Sequence, residues 1–280
     1  MNFALTLTSF LLLLAAFDSR SGIRADELVQ VAPRRAAVGP SNQDIAPPLL
    51  GYLARPKGPG RFPAVVLLHG CFGFDGHDTR VASALKSWGY VGLALDSLGG
   101  ANVCQGQVGP GAGAEVLDAF AALRYLTAQN FVASGRIAVM GFSMGGEASL
   151  LAVDKQGIAH ADGTGFRAAV AYYPPCGVSS GVLTAPALIL VGERDDWTSA
   201  EACRKLAAHE SDIGTTRDAV NGTPISLVVY PDATHAFDYP FPALRHVGHF
   251  IQHDEAAARD SETHVRNFLR RVPGDEPDKP

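Results

Sequence analysis

Hydrophobic residues are concentrated in six short, continuous runs separated by segments of mixed polarity. Each run has five or six residues and is rich in Val, Ile, Leu and Ala. Continuous apolar runs of this length are typical of strands that are buried on both faces of a parallel sheet. The predicted strands are Ala64–Leu68, Tyr90–Leu95, Arg136–Met140, Ala168–Tyr172, Ala187–Val191 and Ser226–Tyr230.

The segments between these runs carry apolar residues at helical spacing, and Asp78 is placed to cap the first of them. The predicted helices are Thr79–Trp88, Gly113–Gln129, Gly145–Asp154, Ala200–Glu210 and Asp254–Arg271. Strands that alternate with helices form right-handed βαβ units. The sequence therefore predicts one α/β domain over residues 45–273, with a mostly parallel, doubly wound sheet and helices on both faces.

The two ends of the chain have a different character. Residues 4–17 form an uncharged apolar run of 14 residues, short of the roughly 20 that span a bilayer. This run and the following small-residue site at Ala25 predict a signal peptide over residues 1–25, although no Lys or Arg precedes the run. Residues 26–44 are predicted to be a loose leader and residues 274–280 a flexible tail. We therefore expect an exported protein, periplasmic or secreted, without a stable membrane span.

Composition excludes several other classes. The 280 residues are 47% hydrophobic and 18% charged, which excludes a largely disordered chain. The 23 basic and 28 acidic residues give a net charge of −5, and no run is rich in Lys or Arg. This balance argues against nucleic acid as a partner. A small molecule is the expected partner, and the oligomeric state is left open.

A nucleophile motif follows the third predicted strand. Residues 141–145 read Gly-Phe-Ser-Met-Gly, directly after the strand and before a predicted helix. This is G-x-S-x-G in the strand–turn–helix context that gives the motif its meaning. Gly141 and Gly145 lack side chains where strand and helix must approach closely. We therefore predict that Ser143 is an exposed nucleophile.

A serine nucleophile needs a histidine base and an acid that orients the base. In this chain order the acid and then the histidine follow the serine, each after a later strand. Asp195 comes just past the fifth predicted strand, and Asp196 is its alternative. His235 follows the sixth strand. The predicted catalytic set is therefore Ser143, Asp195 and His235.

The remaining site predictions concern backbone donors and pocket walls. The glycine-rich turn after the first strand places a backbone N–H near the nucleophile, assigned to Cys71 with Phe72 as the alternative. The second oxyanion donor is predicted to be the N–H of Met144. His69 is predicted to stabilise this turn. Predicted pocket residues near the ends of strands are Phe72, Phe74, Leu98, Tyr173, Trp197 and Phe237.

Three late histidines offer a rival chemistry. His246, His249 and His253 are spaced so that a helix would place them on one face. A metal site also requires suitable partner ligands and an open position, and the chain has no H-E-x-x-H. No metal is therefore predicted, although chelator sensitivity would reveal a metal-dependent hydrolase.

The chain resembles the dienelactone hydrolase-like family of the α/β-hydrolase fold. The segments that carry the resemblance span about residues 60–240: LLHGCFGFDG, WGYVGLALDSLGG, RIAVMGFSMGGEASL, FRAAVAYYPPCG, ALILVGERDDW and VVYPDATHAFD. The resemblance implies hydrolysis of carboxylic esters or lactones without a cofactor. Dienelactone hydrolases proper carry Cys as nucleophile, where this chain has Ser143.

Other functions on the same fold stay open. A serine peptidase or a catalytically silent binding protein are the alternatives. Short-chain esters are the expected substrates because no long lid-like insertion interrupts the domain, the longest such segment being Asn102–Ala112.

The four cysteines allow three pairings. Cys71 and Cys104 follow two strands that are expected to be neighbours in this fold. Cys176 follows a later strand, and Cys203 opens the helix after the next one. We therefore predict the disulfides Cys71–Cys104 and Cys176–Cys203, with four reduced thiols as the alternative.

Overall fold

All six predicted strands belong to one eight-stranded sheet. The computed structural model describes residues 26–31, 49–105, 111–157, 165–208 and 223–272. The strands are β1 (Asp26–Val31), β2 (Leu49–Ala54), β3 (Phe62–Leu68), β4 (Val91–Asp96), β5 (Val132–Phe142), β6 (Ala169–Tyr172), β7 (Ala187–Gly192) and β8 (Ile225–Tyr230). Their order is β1-β2-β4-β3-β5-β6-β7-β8. Strand β2 runs antiparallel to β1 and β4, and all other neighbours are parallel. The predicted mostly parallel sheet is confirmed.

The described part of the chain has five α-helices, the last of which follows the final strand: α1 (Gly76–Ser87), α2 (Ala112–Thr127), α3 (Met144–Leu151), α4 (Ala200–Ala207) and α5 (Glu255–Arg271). Met140 and Phe142 of β5 face a cavity lined by α1 and α5, whereas the intervening Gly141 faces α3. Because successive strand residues point to opposite faces, helices cover both faces, as a doubly wound sheet requires.

The core lies along the central strands. All six residues of β7 are buried, and residues 65–68 of β3 have no exposed surface. Burial on both faces explains why these strands have no alternation of polar and apolar residues.

The structure corrects the predicted loose leader at its start, because Asp26–Val31 forms edge strand β1. Val29 and Val31 are buried while Leu28 is exposed, the alternation of a strand with one buried face. The signal peptide of residues 1–25, residues 32–44 of the leader and the tail of residues 274–280 lie outside the described residues. So do residues 106–110 of the lid-like segment.

A second small sheet was not predicted. Strands β9 (Leu244–His246) and β10 (His249–Ile251) form an antiparallel hairpin. Its two connecting residues, Val247 and Gly248, both have positive φ, at 50° and 91°. A two-residue turn with positive φ at both positions matches the twist of the strands it joins.

Two disulfides link segments that follow strands of the large sheet, and Cys203 of the second one lies in α4. Cys71 is joined to Cys104 and Cys176 to Cys203, with Cα–Cα distances of 5.1 and 5.0 Å. This confirms the predicted pairing. Disulfides persist in oxidising compartments, so the pairing fits a chain that leaves the reducing cytosol.

None of the helices in the described ranges is long and apolar enough to cross a membrane.

Candidate active site

The chain turns sharply between β5 and α3, and Ser143 occupies the turn. Ser143 has φ 53° and ψ −112°, a conformation that costs energy for a residue with a side chain. A Cβ atom on Gly141 would lie 1.9 Å from the carbonyl oxygen of Gly145, and one on Gly145 would lie 2.3 Å from that of Leu68. Glycine is therefore required on both sides of the turn.

Ser143, His235 and Asp195 form one chain of hydrogen bonds. The Oγ of Ser143 lies 3.0 Å from Nε2 of His235, and Nδ1 of His235 lies 2.8 Å from Oδ2 of Asp195. His235 and Asp195 are 1% and 7% exposed. The structure thus brings together the three residues that the sequence separates by 52 and 40 positions.

Asp195 is surrounded by hydrogen-bond donors. Its Oδ1 accepts from the backbone N–H groups of Trp197 and Thr198, and its Oδ2 lies 2.8 Å from the Thr198 hydroxyl. Burial alone would raise the pKa of the Asp195 carboxyl, but the bonds from His235 and Thr198 outweigh burial and lower the pKa. An ionised Asp195 accepts the Nδ1 proton of His235, which leaves Nε2 free to accept a proton from Ser143.

The neighbouring Asp196 serves a different purpose. Its backbone carbonyl lies 3.1 Å from Nδ1 of His249, and its Oδ2 accepts from the N–H of Phe250 at 3.4 Å. Both partners belong to β10. Asp195 therefore holds His235, whereas Asp196 holds the hairpin.

Backbone strain is concentrated around this site. Four non-glycine residues in the described ranges have positive φ: Ser143, Tyr173, Ala236 and Val247. Ser143 lies in the hydrogen-bonded chain, Ala236 follows His235, and the ring of Tyr173 lies 4.6 Å from that of His235. Strained conformations of this kind cluster at functional sites.

The turn after β3 lies against the nucleophile. A Cβ atom on Gly70 would lie 3.6 Å from that of Ser143. His69 spans this turn, since its Nε2 accepts from the N–H of Ser97 and its Nδ1 lies 2.8 Å from the carbonyl oxygen of Gly70. His69 thus stabilises the turn, as predicted.

Two of the predicted pocket residues lie beside the site. The ring of Trp197 is 5.0 Å from that of His235, and Phe72 follows Cys71 in the turn after β3. Tyr173 touches His235, but it is 1% exposed and its hydroxyl donates to Asp238 at 2.6 Å. Its side chain therefore supports His235 from inside the protein.

The structure corrects the prediction for Phe237, which has no exposed surface and packs on Tyr172, Tyr173 and Tyr230. Phe237 follows His235 by two positions and points into the core, so it cannot form a pocket wall. Phe74 packs against the core with part of its surface exposed, and Leu98 is 7% exposed.

One cavity in the described part of the chain is not lined by Ser143, His235 or Asp195. It has a volume of about 360 Å³ and opens between α1 and α5, with Phe142 and Asp238 at its inner wall. Neither Ser143 nor any predicted pocket residue lines it.

The late histidines do not assemble a metal site. His246 and His249 face each other across the β9–β10 hairpin, and His253 pairs separately with Glu255 at 3.0 Å. Residues 244–251 therefore form a hairpin and not the helix that would have placed the three histidines on one face. Over the ranges that the structure describes, no three His, Cys, Asp or Glu side chains form a cluster that could hold a metal ion.

Sequence reasoning missed the role of Thr198. Its hydroxyl lies within 3.1 Å of the carbonyl oxygen of Tyr173, of Oδ2 of Asp195 and of Nδ1 of His235. The signal was present, because a threonine three positions after an aspartate often forms a local turn with it.

A mostly parallel sheet with a serine at a strand–helix elbow, hydrogen-bonded to a histidine and an aspartate from later loops, is the arrangement of the α/β-hydrolases. A sequence model of the dienelactone hydrolase family matches residues 49–272. The chain therefore belongs to the dienelactone hydrolase family and has the α/β-hydrolase fold, as the resemblance implied. It is a hydrolase of carboxylic esters.

One relative is similar in sequence and two solved structures are similar in fold. The chain is 30% identical over 212 residues, 69% of its length, to a Bradyrhizobium protein named "Probable 2-oxo-3-(5-oxofuran-2-ylidene)propanoate lactonase", and covers 80% of it. A thermophilic esterase from Thermogutta terrifontis shares the fold with a TM-score of 0.64 and 18% identity, over 92% of this chain and 96% of the esterase. A candidate dienelactone hydrolase from Klebsiella pneumoniae gives a TM-score of 0.66 and 20% identity, over 88% and 98%.

Proposed function

We propose that the protein hydrolyses short-chain carboxylic esters or lactones through an acyl-enzyme on Ser143, with His235 as general base and Asp195 as the residue that orients it. The hydrogen-bonded chain from Ser143 Oγ through His235 to Asp195 carries this proposal. Both distances are those of good hydrogen bonds, and Ser143 lies in the strained turn between strand and helix.

In the first half of the reaction, Oγ of Ser143 attacks the carbonyl carbon while its proton moves to Nε2 of His235. A tetrahedral intermediate forms, and its carbonyl oxygen becomes negatively charged. The bond to the ester oxygen then breaks, and His235 gives its proton to the departing oxygen. With a linear ester the alcohol leaves, whereas with a lactone the new hydroxyl stays attached to the acyl group.

In the second half, water attacks the acyl carbon and its proton moves to His235. The bond to Ser143 breaks, the proton returns to Oγ, and the carboxylic acid is released. The ionised carboxylate of Asp195 stabilises the imidazolium that forms in each half-reaction.

We assign the binding of the oxyanion to the backbone N–H groups of Cys71 and Met144. Met144 is the first residue of α3, where a backbone N–H has no intrahelical acceptor. Among the described residues, neither N–H donates a hydrogen bond to another protein group. Cys71 directly follows Gly70, which lies against the elbow, and this supports the choice of these two N–H groups.

The substrate class rests on family membership and on the 30% identical relative, whose printed name describes a lactonase. The short acyl group is proposed from the sequence, in which no long lid-like insertion interrupts the domain.

Hydrolysis of p-nitrophenyl acetate, butyrate and octanoate by the wild-type protein and by Ser143→Ala tests the mechanism. We expect acetate and butyrate to be cleaved, and Ser143→Ala to lose at least about 10³-fold in kcat. Ser83→Ala removes an exposed hydroxyl on α1 and should match the wild type. Activity that survives in Ser143→Ala would discard Ser143 as the nucleophile, and a preference for octanoate would discard the short-chain assignment.

We also propose that the chain is exported and that residues 1–25 are removed. Asp26, which would be the first residue of the mature chain, belongs to β1, and its carboxylate accepts two hydrogen bonds from Lys86 at 2.9 and 2.7 Å. Both disulfides fit an oxidising compartment. Mass spectrometry of the protein from the periplasm or culture medium should find Asp26 as the first residue. Recovery of the full-length chain from the cytosol alone would contradict export.

A further inference from the structure

The hydroxyl of Thr198 lies where the histidine and the aspartate of the hydrogen-bonded chain meet. Its Oγ1 is 2.8 Å from Oδ2 of Asp195, 3.1 Å from Nδ1 of His235 and 3.0 Å from the carbonyl oxygen of Tyr173. Oδ2 is also the atom that lies 2.8 Å from Nδ1 of His235. Thr198, Asp195 and His235 are all buried. Thr198 therefore contacts both residues at the bond that joins them, inside the protein.

The single proton of this hydroxyl goes to Asp195. Burial acts to raise the pKa of the Asp195 carboxyl, but the bonds from His235 and Thr198 outweigh burial and lower the pKa, so the carboxyl is ionised at neutral pH. An ionised carboxylate accepts hydrogen bonds and cannot donate them. Because Oγ1 and Oδ2 are 2.8 Å apart, the proton between them must come from Thr198. The carbonyl oxygen of Tyr173 is farther away and uncharged, and it is the weaker acceptor.

The carboxylate of Asp195 is thereby held at both of its oxygen atoms. Oδ1 accepts from the backbone N–H groups of Trp197 and Thr198, at 2.9 and 2.8 Å. Oδ2, the oxygen that faces the base, has two donors among the described residues, which are the Nδ1–H of His235 and the hydroxyl of Thr198. The hydroxyl is therefore the group that fixes Oδ2 independently of the base.

We propose that Thr198 is a positioning residue of the acyl-enzyme reaction, whose hydroxyl holds Oδ2 of Asp195 in line with Nδ1 of His235. This proposal rests on the roles proposed above for Ser143, Asp195 and His235 and extends them. The base must keep Nε2 turned towards Ser143, and its imidazolium is stabilised while Oδ2 stays against Nδ1. Without the hydroxyl, the orientation of the carboxylate would depend on the two N–H groups at Oδ1 and on the base itself.

Two substitutions at Thr198 separate the hydroxyl from the shape of the side chain. Thr198→Val removes the hydroxyl and keeps the shape. On p-nitrophenyl acetate it should lower kcat by about 10–100-fold, the size of one hydrogen bond to a charged group, with KM nearly unchanged. Thr198→Ser keeps the hydroxyl and should stay within a few-fold of the wild type. Thr198→Ala takes the place of Thr198→Val should the latter fail to fold, as judged by circular dichroism.

Thr184→Val is the matched control. Thr184 also carries a hydroxyl that donates to a backbone carbonyl oxygen, that of Val153 at 3.0 Å. It precedes β7, whereas Thr198 follows β7 in the segment that carries Asp195. This control should match the wild type in kcat and KM.

A double-mutant cycle with Asp195→Asn tests whether Thr198 acts through Asp195. If the hydroxyl serves to orient the carboxylate, its removal matters only while the carboxylate is present. We therefore expect Thr198→Val to change kcat by no more than about twofold when Asp195 is already replaced by Asn, since residues that act as a unit are not additive. A general loosening of the fold would instead lower kcat by the same factor in both backgrounds.

The outcomes distinguish the two levels of the proposal. Absence of ester hydrolysis in the wild type, or activity in Ser143→Ala, would refute the acyl-enzyme mechanism and the role of Thr198 with it. Normal hydrolysis by the wild type together with an unchanged kcat in folded Thr198→Val would refute only the role of Thr198. Equal losses in Thr198→Val and Thr198→Ser, or additive losses with Asp195→Asn, would likewise overturn that role.

Discussion

At the scale of single residues, Asp195 and Asp196 are sequence neighbours with different partners. Asp195 bonds to His235 inside the protein, whereas Asp196 bonds to the exposed hairpin. We expect Asp195→Asn to lower kcat by about 10⁴-fold, because an amide in this position favours the wrong tautomer of the base. Asp196→Asn should leave kcat within a few-fold and raise KM, since it loosens only the hairpin.

Steady-state kinetics on p-nitrophenyl acetate and butyrate measure both effects. Circular dichroism of each variant shows whether it is folded. Equal losses of kcat in the two variants would contradict the division of roles, and a larger loss in Asp196→Asn would reverse it.

The sequence could indicate Ser143, Asp195 and His235 because their order follows from the chemistry and from the strand ends. It could not indicate Thr198 in the same way. The position of Thr198 between Asp195 and Tyr173 depends on contacts across 25 residues. Such contacts have no local pattern.

At the scale of elements, the central strands were predictable and the edges were not. Strands β3 to β8 correspond to the six continuous apolar runs, two of which start one residue before their strand. Strand β1 is exposed on one face, and β9 and β10 have three residues each. Strands that are short or buried on one face only have weak hydrophobic patterns, so their formation depends on pairing with other strands.

The first helix also begins earlier than predicted. Its N-cap is Asp75 rather than Asp78, which instead accepts a hydrogen bond from the N–H of Asp75 as the third residue of a capping box. Asp78 is 1% exposed, and its Oδ1 has no hydrogen-bond partner. Burial raises its pKa to about 6, against the smaller opposing effects of the Asp75 N–H bond and of nearby His77 and His69.

This raised pKa gives a pH-dependent prediction. Below about pH 4 the carboxyl is protonated in the folded and unfolded states, and above pH 6 it is ionised in both. The free energy of unfolding therefore falls as the pH rises from 4 through 6, because the unfolded state releases this proton more readily than the folded state does. Asp78→Asn keeps the capping oxygen without the charge. We expect it to match the wild type at pH 4 and to be more stable by about 1–3 kcal/mol at pH 8.

Urea unfolding at a series of pH values checks this prediction. Asp232→Asn is a suitable control, because Asp232 is exposed and its pairing with Arg194 lies at the surface. The control should change the free energy of unfolding by a few tenths of a kcal/mol at most. A difference between Asp78→Asn and wild type that does not vary with pH would show that the carboxyl is not penalised by burial.

At the scale of the whole molecule, both disulfides join the segments that follow two neighbouring strands, at the end of the sheet that carries the site. Cys71 and Cys104 follow β3 and β4, and Cys176 and Cys203 follow β6 and β7. The two bridges close segments of similar length, with sequence separations of 33 and 27. They differ in their relation to the proposed reaction. Cys71 supplies a proposed oxyanion donor, whereas Cys176 and Cys203 do not.

This difference predicts that the two bridges contribute alike to stability and unlike to catalysis. Chain entropy assigns each about 3–4 kcal/mol, so replacing either pair by serine should lower the Tm by several degrees. Loss of the first bridge frees the turn that presents the Cys71 N–H and should lower kcat about tenfold or more, since a misplaced donor stabilises the oxyanion less. Loss of the second should leave kcat unchanged. Thermal unfolding measures the change in Tm, and p-nitrophenyl butyrate kinetics measure the change in kcat, for both double variants. An equal fall in kcat in the two variants would contradict a role for the Cys71 N–H in the reaction.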